Sequence, residues 1–186
     1  MGKRPAGRSP TVKRGKEKHL IATGIIKSKI KSLKKSKMKK LLATDSNNWM
    51  PLIARLALGI TIFPHGAQKL LGWFGGYGYN GTMGFLTGQI HLPWILALLV
   101  ILIEFFGSLL LIFGFLTRIA AFATSVSFLG VLFKIHIYNG FFMNWNMQPN
   151  KGEGYEFFIL LFGLALIALI AGGGKASVDA SITKNK

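Results

Sequence analysis

Polar side chains interrupt an apolar segment that runs from about residue 50 to residue 71. Pro64 comes first, and His65, Gln68 and Lys69 follow it within five residues. The proline ring removes one backbone hydrogen bond and leaves a helix carbonyl without its usual donor. An imidazole and an ammonium group at this spacing are hydrogen-bond donors, and the interior of a membrane contains few acceptors for them. The pattern predicts a membrane helix with a polar pocket near one end.

Glu104 is the single charge in an apolar stretch of about 25 residues, 92–116. An unpaired carboxylate at the middle of a bilayer costs about 2.5 kcal/mol or more, so this one is protonated or paired. Arg55 is the predicted partner, because counting along the two helices puts them about 9 Å apart in depth. The favoured interpretation is an intramembrane ion pair of Arg55 and Glu104. The alternative is an acid that carries protons or faces a quinone.

His136 and Glu156 fall at a predicted depth similar to that of His65, Gln68 and Lys69. These five residues are the candidates for one outward-facing pocket, in which His65 would donate to a quinone carbonyl. Two histidines could also ligate haem iron, but they lack close ligand spacing, so the sequence argues against haem and predicts no metal site. The competing interpretation is that these side chains anchor helix ends and hydrogen-bond to loops. The sequence assigns no catalytic residue.

The hydrophobic residues fall into four segments, with helices expected at about 50–71, 92–116, 117–138 and 155–173. An α-helix of about 20 residues crosses the ~30 Å hydrocarbon core of a bilayer. We therefore predict an all-α fold, a four-transmembrane-helix bundle over residues 49–175 with a basic N-terminal tail. The lipid bilayer is its expected surroundings.

The net charge of +17 is concentrated before the first of these helices. Residues 1–49 contain 15 Lys and Arg against 2 acidic residues, whereas residues 50–186 contain 8 against 4. Residues 1–19 have the composition of a disordered tail. Residues 20–48 form either an amphipathic helix on anionic lipid headgroups or a solvated, transiently helical segment. Nucleic acid is disfavoured as a partner, because no aromatic or folded module accompanies the lysines.

The distribution of positive charge also predicts the orientation. The 72–91 connection contains no Lys or Arg, and the 139–154 connection contains only Lys151. The other short connection and the C-terminal tail, residues 176–186, carry positive charges, as does the N-terminal tail. The positive-inside rule then places both termini in the cytoplasm of a multi-pass plasma-membrane protein. Each tryptophan falls at a predicted helix end or in a loop, as an aromatic belt requires: Trp49, Trp73, Trp94 and Trp145.

Four strings in the chain resemble, in order, the signatures of the DoxX family (DoxX/DoxD-like). They are GITIFPHGAQKLLGWFGGYGYNGTMGF from Gly59, EFFGSLLLIFGFLTRIAA from Glu104, HIYNGFF from His136, and GGGKASVD ending at Asp179. The resemblance covers about residues 50–180 and omits the N-terminal tail. It implies a four-helix plasma-membrane protein of bacteria or archaea, similar to the small subunit of thiosulfate:quinone oxidoreductase. The family positions matched are Arg55, Gly59, His65, Gly66, Lys69, Glu104, Gly107, Gly114, Arg118, His136 and Gly140.

The resemblance and the buried charges together predict a protein of a quinone-linked redox or oxidative-stress system, with quinone as the candidate cofactor. It would act as a subunit of a quinone-dependent oxidoreductase. One alternative is a non-catalytic membrane subunit that recruits a soluble oxidoreductase. The other is a small permease, which would have to form a homo-oligomer because one four-helix bundle is small. The sequence specifies neither a substrate nor an electron acceptor.

Overall fold

The computed structural model of the protein describes residues 27–33, 36, 38 and 40–184. The chain divides into two units, residues 1–40 and 41–186, which are described separately. In the first unit, residues 27–33 are helical and their side chains are exposed. The predicted tail over residues 1–19, and residues 20–26 of the predicted surface helix, lie outside the described residues. The domain boundaries stay predictions.

Besides a 3-10 turn, Trp73–Gly75, and the helical residues 41–42, the described part of the second unit contains six helices. Their order is α1 (Trp49–Leu71), α2 (Gly78–Gly84, continued by a π turn over Phe85–Gln89), α3 (Trp94–Phe113), α4 (Thr117–Asn139), α5 (Glu156–Ala171) and α6 (Val178–Lys184). No strand occurs among the residues that the structure describes. The all-α prediction is confirmed, and the four predicted helices end within about three residues of α1, α3, α4 and α5.

Helices α1, α3 and α4 are long and apolar enough to cross a membrane. Helix α5 is apolar but has 16 residues, so it is about 24 Å long and shorter than the ~30 Å core. Large apolar side chains cover the outside of the bundle: Phe122 is 59% exposed, Leu160 69% and Ile170 68%. An apolar surface of this kind is expected in contact with lipid tails. The protein is therefore an integral membrane protein with several spans.

The four long helices form a closed bundle. Helix α1 packs against α3 and α5, and α4 packs against the same two helices. The core is aliphatic at its centre and aromatic toward one end, where Phe128 and Phe158 pack with their ring centroids 6.2 Å apart. The main buried apolar residues are Leu58, Ile62, Leu111, Ala120, Ala121, Phe128, Phe158, Leu161, Ala165 and Ala168.

Two glycines of α1 set its register against α3. A Cβ added at Gly66 would lie 2.5 Å from the backbone nitrogen of Phe105, and one at Gly59 would lie 2.9 Å from the carbonyl oxygen of Ser108. Contacts this close require glycine, which lets membrane helices approach through their backbones. The helices run antiparallel, with residue 66 beside residue 105. This register brings the end of α1 that contains Lys69 against Glu104.

Arg55 connects the opposite end of the bundle to the segment before α6. Its guanidinium donates to five backbone carbonyls: Nε to Gly173 at 2.8 Å, Nη1 to Leu111 at 3.0 Å and to Ile112, and Nη2 to Lys175 at 3.3 Å and Ala176 at 2.9 Å. All five guanidinium N–H groups are thus engaged. Arg55 is only 1% exposed, so its charge is stabilised by carbonyl dipoles rather than by water.

Asp179 at the start of α6 completes this end of the bundle. Its two carboxylate oxygens accept hydrogen bonds from the backbone N–H groups of Leu116 and Thr117, at 2.8 and 2.9 Å. These N–H groups open α4, where a carboxylate is favoured by the free donors and the helix dipole. The carboxylate also lies within electrostatic range of Arg55. The predicted C-terminal tail thus contains a helix that is attached to the bundle.

Candidate functional site

An ion pair between Lys69 and Glu104 joins α1 to α3. The Lys69 Nζ atom lies 2.5 Å from Glu104 Oε2, and the side chains are 29% and 1% exposed, respectively. Glu104 stands in a π turn, Ile103–Gly107, that interrupts α3. π turns inside α-helices are rare and often occur at functional positions, because they change the direction in which side chains point. A buried acid paired with a partly exposed base is a group that can exchange a proton with a ligand.

This pair corrects the predicted ion pair between Arg55 and Glu104. Because residue 66 lies beside residue 105, Arg55 is displaced from the level of Glu104 by about 16 Å along α1. Its donors are all engaged by carbonyls at the other end of the bundle. The sequence estimate of depth counted residues from the helix ends, whereas the glycine contacts fix the true register. Lys69, one turn beyond Gly66, is the base that reaches Glu104.

The second carboxylate oxygen of Glu104, Oε1, has no hydrogen-bond partner among the described residues. Buried polar atoms are nearly always paired, because an unpaired one keeps the full cost of its desolvation. An ionised carboxylate has lone pairs for several donors, and Lys69 fills only part of them. The free oxygen is therefore a place where a ligand or a water molecule can donate a hydrogen bond.

His65 and Gln68 stand near Lys69 but differ in their contacts. The His65 ring is exposed and lies within electrostatic range of both Lys69 and Glu104. Gln68 donates from Nε2 to the carbonyl oxygen of Phe74 at 3.2 Å. That bond ties the end of α1 to the glycine-rich turn that follows it. The structure thus puts His65 one helical turn before Lys69 on α1 and gives Gln68 a contact to the turn.

His136 and Glu156 belong to a second group, formed by α4, α5 and the loop between them. The Nδ1–H of His136 donates to the carbonyl oxygen of Glu153 at 2.8 Å, and its ring packs on Phe158 with centroids 4.9 Å apart. Glu156 accepts a hydrogen bond from the indole N–H of Trp145 at 2.6 Å. Each side chain is engaged within its own loop region. A single pocket shared by His65 and His136 stays a prediction.

An apolar cleft of about 360 Å³ lies between α2, α3 and α4. This volume is within the range of small-molecule sites. Ile103, next to Glu104 in the chain, lines the cleft, and Ser127 and Lys134 are its polar lining residues. The remaining lining is apolar: Leu86, Ile90, Leu92, Leu96, Leu99, Val100, Val126, Gly130, Val131 and Ile135. Such a cleft suits the ring and tail of a hydrophobic ligand.

Two buried hydroxyl groups on α4, the helix that packs against the π turn, were not singled out by the sequence. Thr124 is 0% and Ser127 7% exposed, and neither hydroxyl has a partner among the described residues. They stand three positions apart on α4, hence on one face. Their spacing within the uncharged stretch 119–133 was the signal that the sequence offered for them.

Within the described part of the chain no three His, Asp or Glu residues are grouped as metal ligands would be.

The helical bundle and its buried charge pair define a small integral membrane protein with a polar site within an apolar body. The family model DoxX matches residues 50–137. The chain is 30% identical over 138 residues to "Inner membrane protein YqjF" of Escherichia coli (strain K12), covering 72% of this chain and 92% of that protein. The chain belongs to the DoxX family, as the sequence motifs predicted.

A second relative is named as an oxidoreductase. The chain is 27% identical over 135 residues to "Putative oxidoreductase CatD" of Bacillus subtilis (strain 168), a match that covers 73% of this chain and 88% of that protein. No solved structure matches the chain.

Proposed function

We propose that this protein is the membrane component of a quinone-linked redox system and that the Lys69–Glu104 pair is its quinone site. The observation that supports this most is the free Oε1 oxygen of the buried Glu104, whose chain neighbour Ile103 lines an apolar cleft. The reduced form of a quinone, the quinol, matches both, since its hydroxyl groups donate hydrogen bonds and its ring and tail need an apolar surface. The redox name of the Bacillus subtilis relative points in the same direction.

The charge pair suits the proton chemistry of a quinone. Reduction of a quinone to a quinol takes up two electrons and two protons, and a buried carboxyl group is a suitable general acid. Lys69 is partly exposed, so it can exchange protons with the membrane surface and return one to Glu104. The exposed His65 ring extends this proton path outward. In this proposal Glu104 is the proton donor, and Lys69 and His65 supply it.

The electrons in this proposal come from a soluble partner. The groups that this site offers are a carboxylate, an ammonium group and an imidazole, which can bind a ligand and move protons. A soluble oxidoreductase subunit docked on the bundle would reduce the bound quinone. The chain then contributes binding and protonation, which are roles that its buried charges and apolar cleft can perform.

Titration of the purified protein in detergent with a short-chain ubiquinone analogue, and separately with a menaquinone analogue, tests the proposal. We expect saturable binding of at least one analogue in its reduced form. Binding by Glu104→Gln should be at least tenfold weaker, because the charged carboxylate oxygen that accepts a hydrogen bond from the ligand becomes part of a neutral amide. Glu153→Gln is the matched control, since its carboxylate accepts from the backbone of Asn144 in the loop. Absence of saturable binding, or equal binding by both variants, would refute the proposed site.

We also propose that both termini are cytoplasmic, because the loops at the other end of the bundle contain a single positively charged residue, Lys151. The chain contains no cysteine, so single cysteines can be introduced cleanly. A membrane-impermeant maleimide should label Tyr77→Cys and Lys151→Cys in intact cells, and Lys184→Cys only after permeabilisation. Tyr77 is 87% exposed. The reverse labelling pattern would invert the orientation.

A further inference from the structure

The hydroxyl groups of the bundle fall into two sets. Ser108, Ser125 and Thr87 each donate to a carbonyl of the preceding helical turn, at 2.7, 2.8 and 2.8 Å. This is the usual way in which a membrane helix satisfies such groups. Thr124 and Ser127, on the same helix as Ser125, do not use it, and their hydroxyls have no partner among the described residues. Their hydroxyl groups are therefore available to something other than the chain itself.

The packing of α4 against the π turn of α3 brings these hydroxyls toward Glu104. The π turn Ile103–Gly107 packs against the Thr117–Val131 part of α4. A Cβ added at Gly107 would lie 3.2 Å from the Thr124 hydroxyl oxygen, so this hydroxyl faces the turn that contains Glu104. Ser127, one turn further along α4, lines the apolar cleft together with Ile103. The two unpartnered hydroxyls thus lie on α4, which packs against the turn that contains Glu104, with Thr124 at Gly107 and Ser127 at the cleft.

From this juxtaposition we infer that Thr124 and Ser127 form a hydrogen-bonded relay between Glu104 and a ligand in the cleft. Ser127 donates to an oxygen of the ligand and is the positioning residue. Thr124, through its hydroxyl and a buried water molecule, connects Ser127 to Glu104 Oε1. Buried waters typically pair with two to four otherwise unsatisfied polar atoms, and three such atoms occur here. The inference rests on the proposed quinone site for the identity of the ligand, but not for the relay itself.

A proton passes along this relay and leaves its two hydroxyl groups as they were. The ligand oxygen takes the Ser127 hydroxyl proton, and Ser127 takes one from the water or from Thr124. At the other end Lys69 gives a proton to the ionised Glu104 carboxylate, and Glu104 passes a proton on to the water or to Thr124. Each hydroxyl ends with the proton count with which it began. The net change is one proton moved from the ion pair to the ligand.

The test compares Ser127→Ala with Ser125→Ala, which removes the same group from the same helix where that group already bonds to Ala121. The first readout is the dissociation constant of the quinone analogue, which Ser127→Ala should raise about five- to tenfold, the usual effect of one lost hydrogen bond. The second readout is the infrared band of the Glu104 carboxyl group, identified by its loss in Glu104→Gln. Ser127→Ala and Thr124→Val should shift that band, and Ser125→Ala should not.

The two readouts separate failure of the relay from failure of the quinone site. If the wild type binds the analogue and Ser127→Ala matches Ser125→Ala in both readouts, the relay is overturned while the quinone site stands. If no analogue binds but Ser127→Ala and Thr124→Val shift the Glu104 band, the relay stands and the quinone site fails. Thermal melting of each variant in detergent verifies that the compared proteins are folded.

Discussion

Replacing Arg55 by leucine should lower the free energy of unfolding by more than about 4 kcal/mol, the largest effect expected for a single substitution here. The change removes five hydrogen bonds to carbonyls on α3 and on the segment before α6. A hydrogen bond to a charged group contributes about 1.5–3 kcal/mol, although such contributions are not additive within one network. The loss would also leave the buried Asp179 carboxylate without its nearby cation. Denaturant titration in detergent measures the effect.

Arg55→Lys separates the charge of this residue from its geometry. A lysine keeps a positive charge near Asp179 but has three donors on a single atom, so it cannot reach all the carbonyls arranged around the edge of the guanidinium group. We expect it to restore less than half of the stability lost in Arg55→Leu. Lys151→Leu, in the exposed loop, removes one positive charge without a buried contact and should change stability by less than about 0.5 kcal/mol. Near-wild-type stability of Arg55→Leu would contradict this account.

Lys69→Met is expected to destabilise the protein by about 3 kcal/mol, because it leaves the buried Glu104 carboxylate without a counter-charge. Glu104→Gln should cost less, because Lys69 is 29% exposed whereas Glu104 is 1% exposed. A lysine freed from its partner can turn its ammonium group toward the membrane surface, whereas a carboxylate at the α1–α3 contact has no such route. The asymmetry between the two single variants is measured by the same denaturant titration.

The double variant Lys69→Met/Glu104→Gln shows whether the two residues act as a pair. It should be more stable than Lys69→Met alone, with a coupling of about 2 kcal/mol between the two sites. Arg55→Leu combined with Glu104→Gln provides the contrast, since these residues share no contact and their effects should add. Equal coupling in both pairs would contradict the helix register described here. Strict additivity for Lys69 and Glu104 would contradict their ion pair.

The sequence could predict many of the residues in the candidate site, but not which of them are in contact. The sequence showed that Glu104 must be paired or protonated, because a charge inside an apolar segment is costly wherever the helices pack. It predicted Arg55 as the partner instead of Lys69, which is also on α1, because the depth estimate lacked the register. That register depends on Gly59 and Gly66, whose effect is visible only once the two backbones are in contact. Thr124 and Ser127 were passed over for a similar reason, since an isolated hydroxyl on a membrane helix usually bonds to its own backbone.

The sequence by itself determined the membrane helices, the family and two of the buried charges, Arg55 and Glu104. Hydropathy does this without tertiary information, because the thickness of a bilayer fixes the length of an apolar helix and the cost of a charge within it. Only the tertiary structure decided which charges meet, that Arg55 binds carbonyls near α6, and that Asp179 caps α4. These outcomes depend on helix register and on contacts between residues at least 35 positions apart. The local sequence pattern encodes neither the register nor these contacts, because both are set by the way in which the helices pack against one another.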